Sequence, residues 1–248
     1  KMKEKQKEAK VYPSDTSTLL DYDNNWAGML GNKKYWGVYL IIVVAITVLG
    51  IGYMVGVAHS EIPPLCDFTD SKGEVVISAK KINKGEEIFH LRGLMGYGTF
   101  LGDGSERGPD FTAESLHIVT NSMADYYTEQ LSKTSKPGSH DLNAIKARIQ
   151  QELHLNTYNK DKDVVVLNEA QIKAWNDVRF HYKRMYTEPG FRDLWAVERI
   201  DSAEDVDDLA AFFFWGSWLC AANRPDEDYS YTHNWPYDPV AGNTPTPE

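Results

Sequence analysis

One stretch of the chain abandons the alternation of apolar and polar positions seen everywhere else. Residues 35–58 (YWGVYLIIVVAITVLGIGYMVGVA) run for 24 positions without a charge. At about 1.5 Å of rise per residue, a helix of that length crosses a hydrocarbon core of about 30 Å. A buried helix of a soluble protein rarely keeps every face apolar for so long. The run is also too long for a signal peptide, and no small-residue cleavage site follows it closely. It predicts a single transmembrane anchor. The longest later apolar stretch, 209–218, is too short to cross.

Beyond the span, the periodicity is mostly that of amphipathic helices. Pro63 and Pro64 end the anchor, and Asp70-Ser71-Lys72-Gly73 predicts a turn before a short strand at 74–78. A helix is expected over 84–90, and a second over 113–131, begun by Thr112 and carrying Leu116, Val119, Met123, Tyr126 and Tyr127 at helical spacing. A third covers 142–153. A short strand at 164–167 precedes a helix at 169–187 capped by Asn168, and Asp201 or Ser202 caps the last helix, 203–221. The second half of that helix, AAFFFWGSWLCAA, is apolar nearly all round and must be covered. Between the first two helices lies a glycine-dense loop, with Gly93, Gly96, Gly98, Gly102, Gly104 and Gly108 within 16 residues. It lacks the phosphate-binding pattern GxxxxGK and reads as a rigid contact loop. The last segment holds five prolines with Tyr229, Tyr231, Trp235 and Tyr237, which reads as extended chain ordered by contact. The fold class is mainly α: a cytoplasmic tail at 1–34, the anchor at 35–58, a helical domain at 59–222 and a contact tail at 223–248.

Charge orients this layout. The chain has 26 Lys and Arg against 36 Asp and Glu, a net charge of −10 that argues against a nucleic-acid partner. Lys33 and Lys34 stand at the membrane edge, whereas residues 59–248 carry a net −12. The positive-inside rule then puts the N-terminus in the cytoplasm and the C-terminal domain outside the cytoplasmic membrane. Only Cys66 and Cys220 are present; they could pair in an oxidising compartment, but they cannot form a CxxCH haem attachment or a zinc pattern. The seven histidines form neither HxxxH nor HExxH, and no nucleophile–base pair is evident. The acidic run Glu204, Asp205, Asp207 and Asp208 suits a helix N-terminus, and Asp226-Glu227-Asp228 reads as solvated charge. The residues alone describe an anchored, aromatic-rich module without autonomous chemistry, whose apolar helix and tail ask for a partner at or near the membrane.

Two stretches resemble one family. Residues 93–127 (GLMGYGTFLGDGSERGPDFTAESLHIVTNSMADYY) and 211–246 (AFFFWGSWLCAANRPDEDYSYTHNWPYDPVAGNTPT) are similar to the N-terminal region of quinol-dependent nitric oxide reductases. The resemblance extends over about 35–246 and implies a cytochrome c-like domain without haem, packed on a catalytic domain of the haem–copper oxidase superfamily. The cytochrome c subunit of the related two-subunit reductases carries CxxCH ahead of a segment like TLLGEGAYFAPEL. Matching its GEG to Gly102-Asp103-Gly104 places its two cysteines at Leu94 and Tyr97 and its haem-ligating histidine at Gly98. In those relatives a carbonyl and a tyrosine approach an interface Ca²⁺. The matching positions here are Gly104 and Glu106, a departure from tyrosine.

The resemblance implies a non-catalytic subunit that caps a haem-containing, multi-span partner reducing NO to N₂O and water, with quinol as electron donor. No catalytic or cofactor-binding residue is assigned to this chain; haem b and non-haem iron are expected in the partner. The expected contacts are Tyr97, Phe100, Gly102 and Gly104 in the loop, and Tyr231, Asn234, Trp235, Tyr237 and Asn243 in the tail. Family members continue from the AGN…PT segment into a second span, so either a separate small subunit or part of a longer polypeptide fits; the former is the reading taken. Two alternatives are a nitric oxide dismutase-like complex and an independent anchored binding or assembly module.

Overall fold

A computed structural model describes residues 33–60, 62–105, 107–133, 138–188 and 200–246. The 1–34 tail lies almost wholly outside these. The chain divides into two compact units, Lys1–Ile62 and Pro63–Glu248. The first contains helix α1, Lys33–Ser60, whose Tyr35–His59 portion is long and apolar enough to cross a membrane.

The second unit is mainly helical. Its helices are α2 (Ala79–Leu91), α3 (Phe111–Ser132), α4 (Ser139–His154), α5 (Glu169–Thr187) and α6 (Ala203–Ala221). A small mixed sheet has the order β2-β1-β6-β5, from β1 (Asp67–Thr69), β2 (Val75–Ile77), β5 (Tyr158–Asn159) and β6 (Val164–Val166). β1 pairs antiparallel with β2 and parallel with β6. A two-stranded ribbon, β3 (Thr99–Phe100) and β4 (Asp103–Gly104), forms within the glycine loop. β1, β5 and the ribbon are too short to leave a period in the sequence.

α6 is the centre of the unit. Phe212, Phe213 and Phe214 follow one another at about 100° per residue and therefore enter three different sectors of the core. Phe212 stacks on Phe100 at 4.2 Å, and Phe213 stacks on Phe111 of α3 at 4.7 Å and lies 4.8 Å from Tyr182 of α5. Phe214 meets Trp175 of α5 edge-on at 5.5 Å and Phe68 of β1 at 6.2 Å. The apolar helix is thus covered by its own domain, and the expectation that it asks for an outside partner is corrected. Small residues admit the neighbours. A Cβ at Gly216 would lie 2.7 Å from the Phe100 ring, and one at Gly85 would lie 2.0 Å from the Asp208 carbonyl oxygen.

Gly85 also explains a displaced boundary. Asn-Lys-Gly-Glu reads as a helix start, yet α2 begins at Ala79, with the Ser78 hydroxyl accepting from Lys81 N. The glycine is an interior position that lets α2 and α6 cross closely. Similarly, α3 starts at Phe111, with Asp110 rather than Thr112 as its cap. Asn168 and Ser202 cap α5 and α6 as the sequence predicts. The acidic run on α6 is neutralised across the crossing: Asp207 pairs with Lys81 and Arg179, Asp208 lies 3.4 Å from Lys84, and Asp205 lies 3.9 Å from Arg92. Cys66 and Cys220 are free and buried, and burial raises both thiol pKa values, that of Cys66 to about 12.

Two histidines couple the fold to pH. Burial lowers the pKa of His154, against a smaller opposing pull from the Ala241 carbonyl, and its Nε2 is buried without a partner. Burial and Arg184 lower His181 to about 4, so at neutral pH its neutral ring donates from Nε2 to Glu114 at 3.0 Å. A histidine depressed in the folded state takes up its proton more readily unfolded. Its stability contribution is therefore whole above about pH 6.5 and declines below it. The melting temperature of the full chain in detergent is expected to fall between about pH 7.5 and about pH 5.5. The fall should be shallower in His154→Gln, and an unchanged slope would refute this assignment.

Candidate functional site

The glycine loop is held by one carboxylate. Asp110 Oδ1 accepts from Ala113 N at 2.8 Å and from the Thr112 hydroxyl, while Oδ2 accepts from Thr99 Oγ1 at 2.6 Å and Gly102 N at 2.8 Å. The same side chain thus caps α3 and closes the β3–β4 turn. Thr112 Oγ1 in turn accepts from Leu101 N at 3.2 Å. At Gly104 the backbone has φ +138°, and a Cβ would meet the Gly98 carbonyl oxygen at 2.4 Å, so only glycine fits. The glycine density serves the loop's own compaction, which supports a rigid loop. Asp110 escaped the sequence reading, although an aspartate directly ahead of a helix start is a capping signal.

The tail is not extended chain. It is a series of turns packed on the ends of α4 and α6. Asn223 N donates to the His154 carbonyl at 3.1 Å, an isolated bridge pairs Asn223 with Ser230, and the Trp235–Pro236 peptide is cis. Asn243 is buried and staples the tail to the core. Its Oδ1 accepts from Asp238 N at 2.8 Å, and its Nδ2 points at the carbonyls of Pro236 (2.7 Å), Cys220 (3.0 Å) and Asn234 (3.3 Å). Buried Asp238 accepts from Val240 N at 2.8 Å and Ala241 N at 2.9 Å. Its other oxygen takes His117 Nδ1–H from α3 at 3.0 Å, while His117 Nε2 accepts from Asn121 at 2.9 Å. His117 and Asp238 are joining residues that the sequence reading did not single out.

His233 and Asn234 both have left-handed backbones, φ 53° and 65°. Asn234 braces them, its Oδ1 accepting from Ser230 N at 2.8 Å and its Nδ2 donating to the Thr244 carbonyl at 2.9 Å. Tyr229 stacks on His233 at 4.7 Å. This strained turn delivers Trp235 onto the glycine loop, where a Cβ on Gly102 would come within 3.2 Å of its indole nitrogen. Loop and tail thereby form one continuous face.

The expected contact residues divide on this face. Trp235 and Tyr237 are each 51% exposed, and Gly102 and Gly104 are exposed. Phe100, Asn234, Asn243 and Tyr231 are turned inward. Phe100 belongs to the aromatic core, the two asparagines brace the tail, and Tyr231 packs on Trp218 with its hydroxyl accepting from Asn156 at 3.0 Å. Tyr97 is half-buried against the core. Glu106 lies outside the described residues. Among the described residues, no group of three or more His, Cys, Asp or Glu could hold a metal. Gly104 offers a single carbonyl, whereas Ca²⁺ takes six to eight oxygens.

Compared with known proteins, residues 66–237 match the family model of the cytochrome c-like domain of NorB, a nitric oxide reductase component. This chain belongs to that family. No curated protein matches it. The cytochrome c-like domain therefore comprises the sheet, the aromatic helical core and most of the tail, and it ties the chain to nitric oxide reductase. Leu94 and Gly98, set opposite a haem attachment by the resemblance alone, are closely packed. Leu94 is fully buried, and a Cβ at Gly98 would sit 2.5 Å from the Pro109 carbonyl oxygen and 2.7 Å from the Phe111 ring.

The braced tail separates stability from contact. Asn243→Ala leaves several buried backbone groups unpaired and is expected to cost roughly 2–3 kcal/mol, read as a lower melting temperature. Trp235→Ala, at a half-exposed position, should cost about 1 kcal/mol or less in the same melt.

Proposed function

We propose that this chain is the haem-free, non-catalytic part of a membrane nitric oxide reductase. The observation that supports this reading is the tight packing around Gly98, the residue that the resemblance sets at the haem-ligating position. A chain of the cytochrome c-like family has the ring-stacked core of Phe89, Phe100, Phe111, Phe212 and Phe213 beside Gly98, where no ligating side chain fits. Such a domain has no centre through which to pass electrons, and its contribution is structural. The Tyr35–His59 helix serves as a membrane anchor. Lys33 and Lys34 favour a cytoplasmic N-terminus, which leaves the acidic unit from Pro63 onward on the extracytoplasmic side. There the loop–tail face caps a haem-containing, multi-span catalytic partner. That partner holds haem b and non-haem iron and reduces NO to N₂O with quinol as donor.

The test is a reduced-minus-oxidised visible spectrum of the tagged chain purified from native membranes in mild detergent, followed by an assay of NO consumption. A b-type signal, N₂O as product and no covalent haem on this polypeptide in a denaturing gel are expected. Covalent haem on this chain, or no haem in a well-folded preparation, would overturn the reading. N₂ and O₂ as products would move it to a dismutase-like complex.

A further inference from the structure

We propose that His154 is a pH-sensitive latch: its neutral ring seats the tail on the end of α4, and protonation of the ring releases the 240–243 turn. The last turn of α4 holds the tail at both ends. At the near end the His154 carbonyl accepts from Asn223 N at 3.1 Å, and the amide of Asn156, two residues on, donates to the Asn223 carbonyl at 2.8 Å. At the far end the His154 ring meets the carbonyl of Ala241, a fully buried residue. Gln150, one turn earlier, fills the space beside Gly242, where a Cβ would lie 2.4 Å from its Nε2. One residue therefore binds the start of the tail with its backbone and the end with its side chain. Only the side chain titrates.

The seat suits a neutral imidazole and not a charged one. Nε2 is buried without a partner, so a proton there would be a buried cationic donor lacking an acceptor. Burial accordingly outweighs the Ala241 carbonyl and lowers the pKa. Ionisable groups on the surrounding elements are engaged elsewhere. Glu152 of α4 is held by Arg148 and by Tyr127 of α3, and Asp238 of the tail by His117 of α3 and the Val240 and Ala241 amides. Arg224 donates to the Tyr231 carbonyl at 3.2 Å, His233 stacks on Tyr229, and Asp163 beside β6 accepts from Tyr158. Burial raises the pKa of the Cys220 thiol at the end of α6 and keeps it neutral. Release of the 240–243 turn carries Asn243 with it, and Asn243 holds the carbonyls of Asn234 and Pro236 on either side of Trp235. The loop–tail face is whole while His154 is neutral and loses a brace when the ring is charged. The latch operates whichever partner meets that face.

The experiment is hydrogen–deuterium exchange of the full chain in detergent at about pH 7.5 and about pH 5.5, corrected for intrinsic amide rates. Residues 238–246 are read against α5. A histidine that titrates near pH 6.5 once released makes opening up to about tenfold easier at pH 5.5. Corrected exchange of the tail is expected to rise between about threefold and about tenfold at the lower pH, and to stay faster than that of α5 throughout. His117→Gln, which removes the other histidine tied to buried tail residues, should keep this rise. His154→Gln should abolish it. A tail that ignores pH, or that exchanges in step with α5 because it opens only with the whole domain, would overturn the proposal. So would a rise that survives in His154→Gln or disappears in His117→Gln. The first two outcomes are read on the unaltered chain, so a failure of His154→Gln to fold leaves them decisive.

Discussion

Three consecutive phenylalanines spread over about 200° of a helix surface, and the domain is organised around covering them. Because Phe212, Phe213 and Phe214 enter separate sectors of the core, no single neighbouring element can cover them. The ribbon of the glycine loop takes the first, α3 and α5 the second, and α5 with the sheet the third. Each sector contributes ring contacts of about 0.5–1.5 kcal/mol beyond simple burial. Close approach at Gly85 and Gly216 is the geometric condition, since a methyl group at either would collide with backbone or ring. A short sheet suffices here because Phe68 is the residue through which it meets both Phe214 and Trp218.

The same helix reaches the candidate face by two routes. Phe100 stacks on Phe212 at one end of the glycine loop, and Asn243 bonds the Cys220 carbonyl in the last turn of α6. Loop and tail are irregular in backbone yet tied directly to the best-packed part of the molecule. Asp110 and Asn243 do this with few atoms: one carboxylate and one amide satisfy backbone groups that regular structure would otherwise have to pair. The half-exposed rings of Trp235 and Tyr237 are what remains after those internal needs are met.

How much of this was legible in the sequence depended on whether the signal was local. The apolar helix and the helices at 169–187 and 203–221 with their caps rest on contiguous residues and lie where expected, and the family resemblance is matched over residues 66–237. Gly85 misled because its purpose, a helix crossing, involves Asp208 more than a hundred residues away. The aromatic helix announced its need for cover but not that its own domain supplied it. Phe100, Asn234 and Asn243 are expected contact residues because the resemblance implies that the loop and tail as whole segments meet a partner. Whether such a side chain turns outward or inward is decided by long-range partners that leave no periodicity. The tail misled in a similar way, since prolines and aromatics suit extended contact chain as well as tight turns.

The bracing of the tail also bears on the order of assembly. A flexible tail would form its binding shape only on meeting a partner, and the ordering entropy would weaken the complex. Here the turn at His233 and Asn234, the Asn243 amide and the Asp110 carboxylate complete that shape as soon as the domain folds. Docking on this face, as proposed, would then be a rigid-body event. Sequence drift would be tolerated more readily in whatever meets the face than in the face itself, because each brace residue is also part of the domain's own architecture.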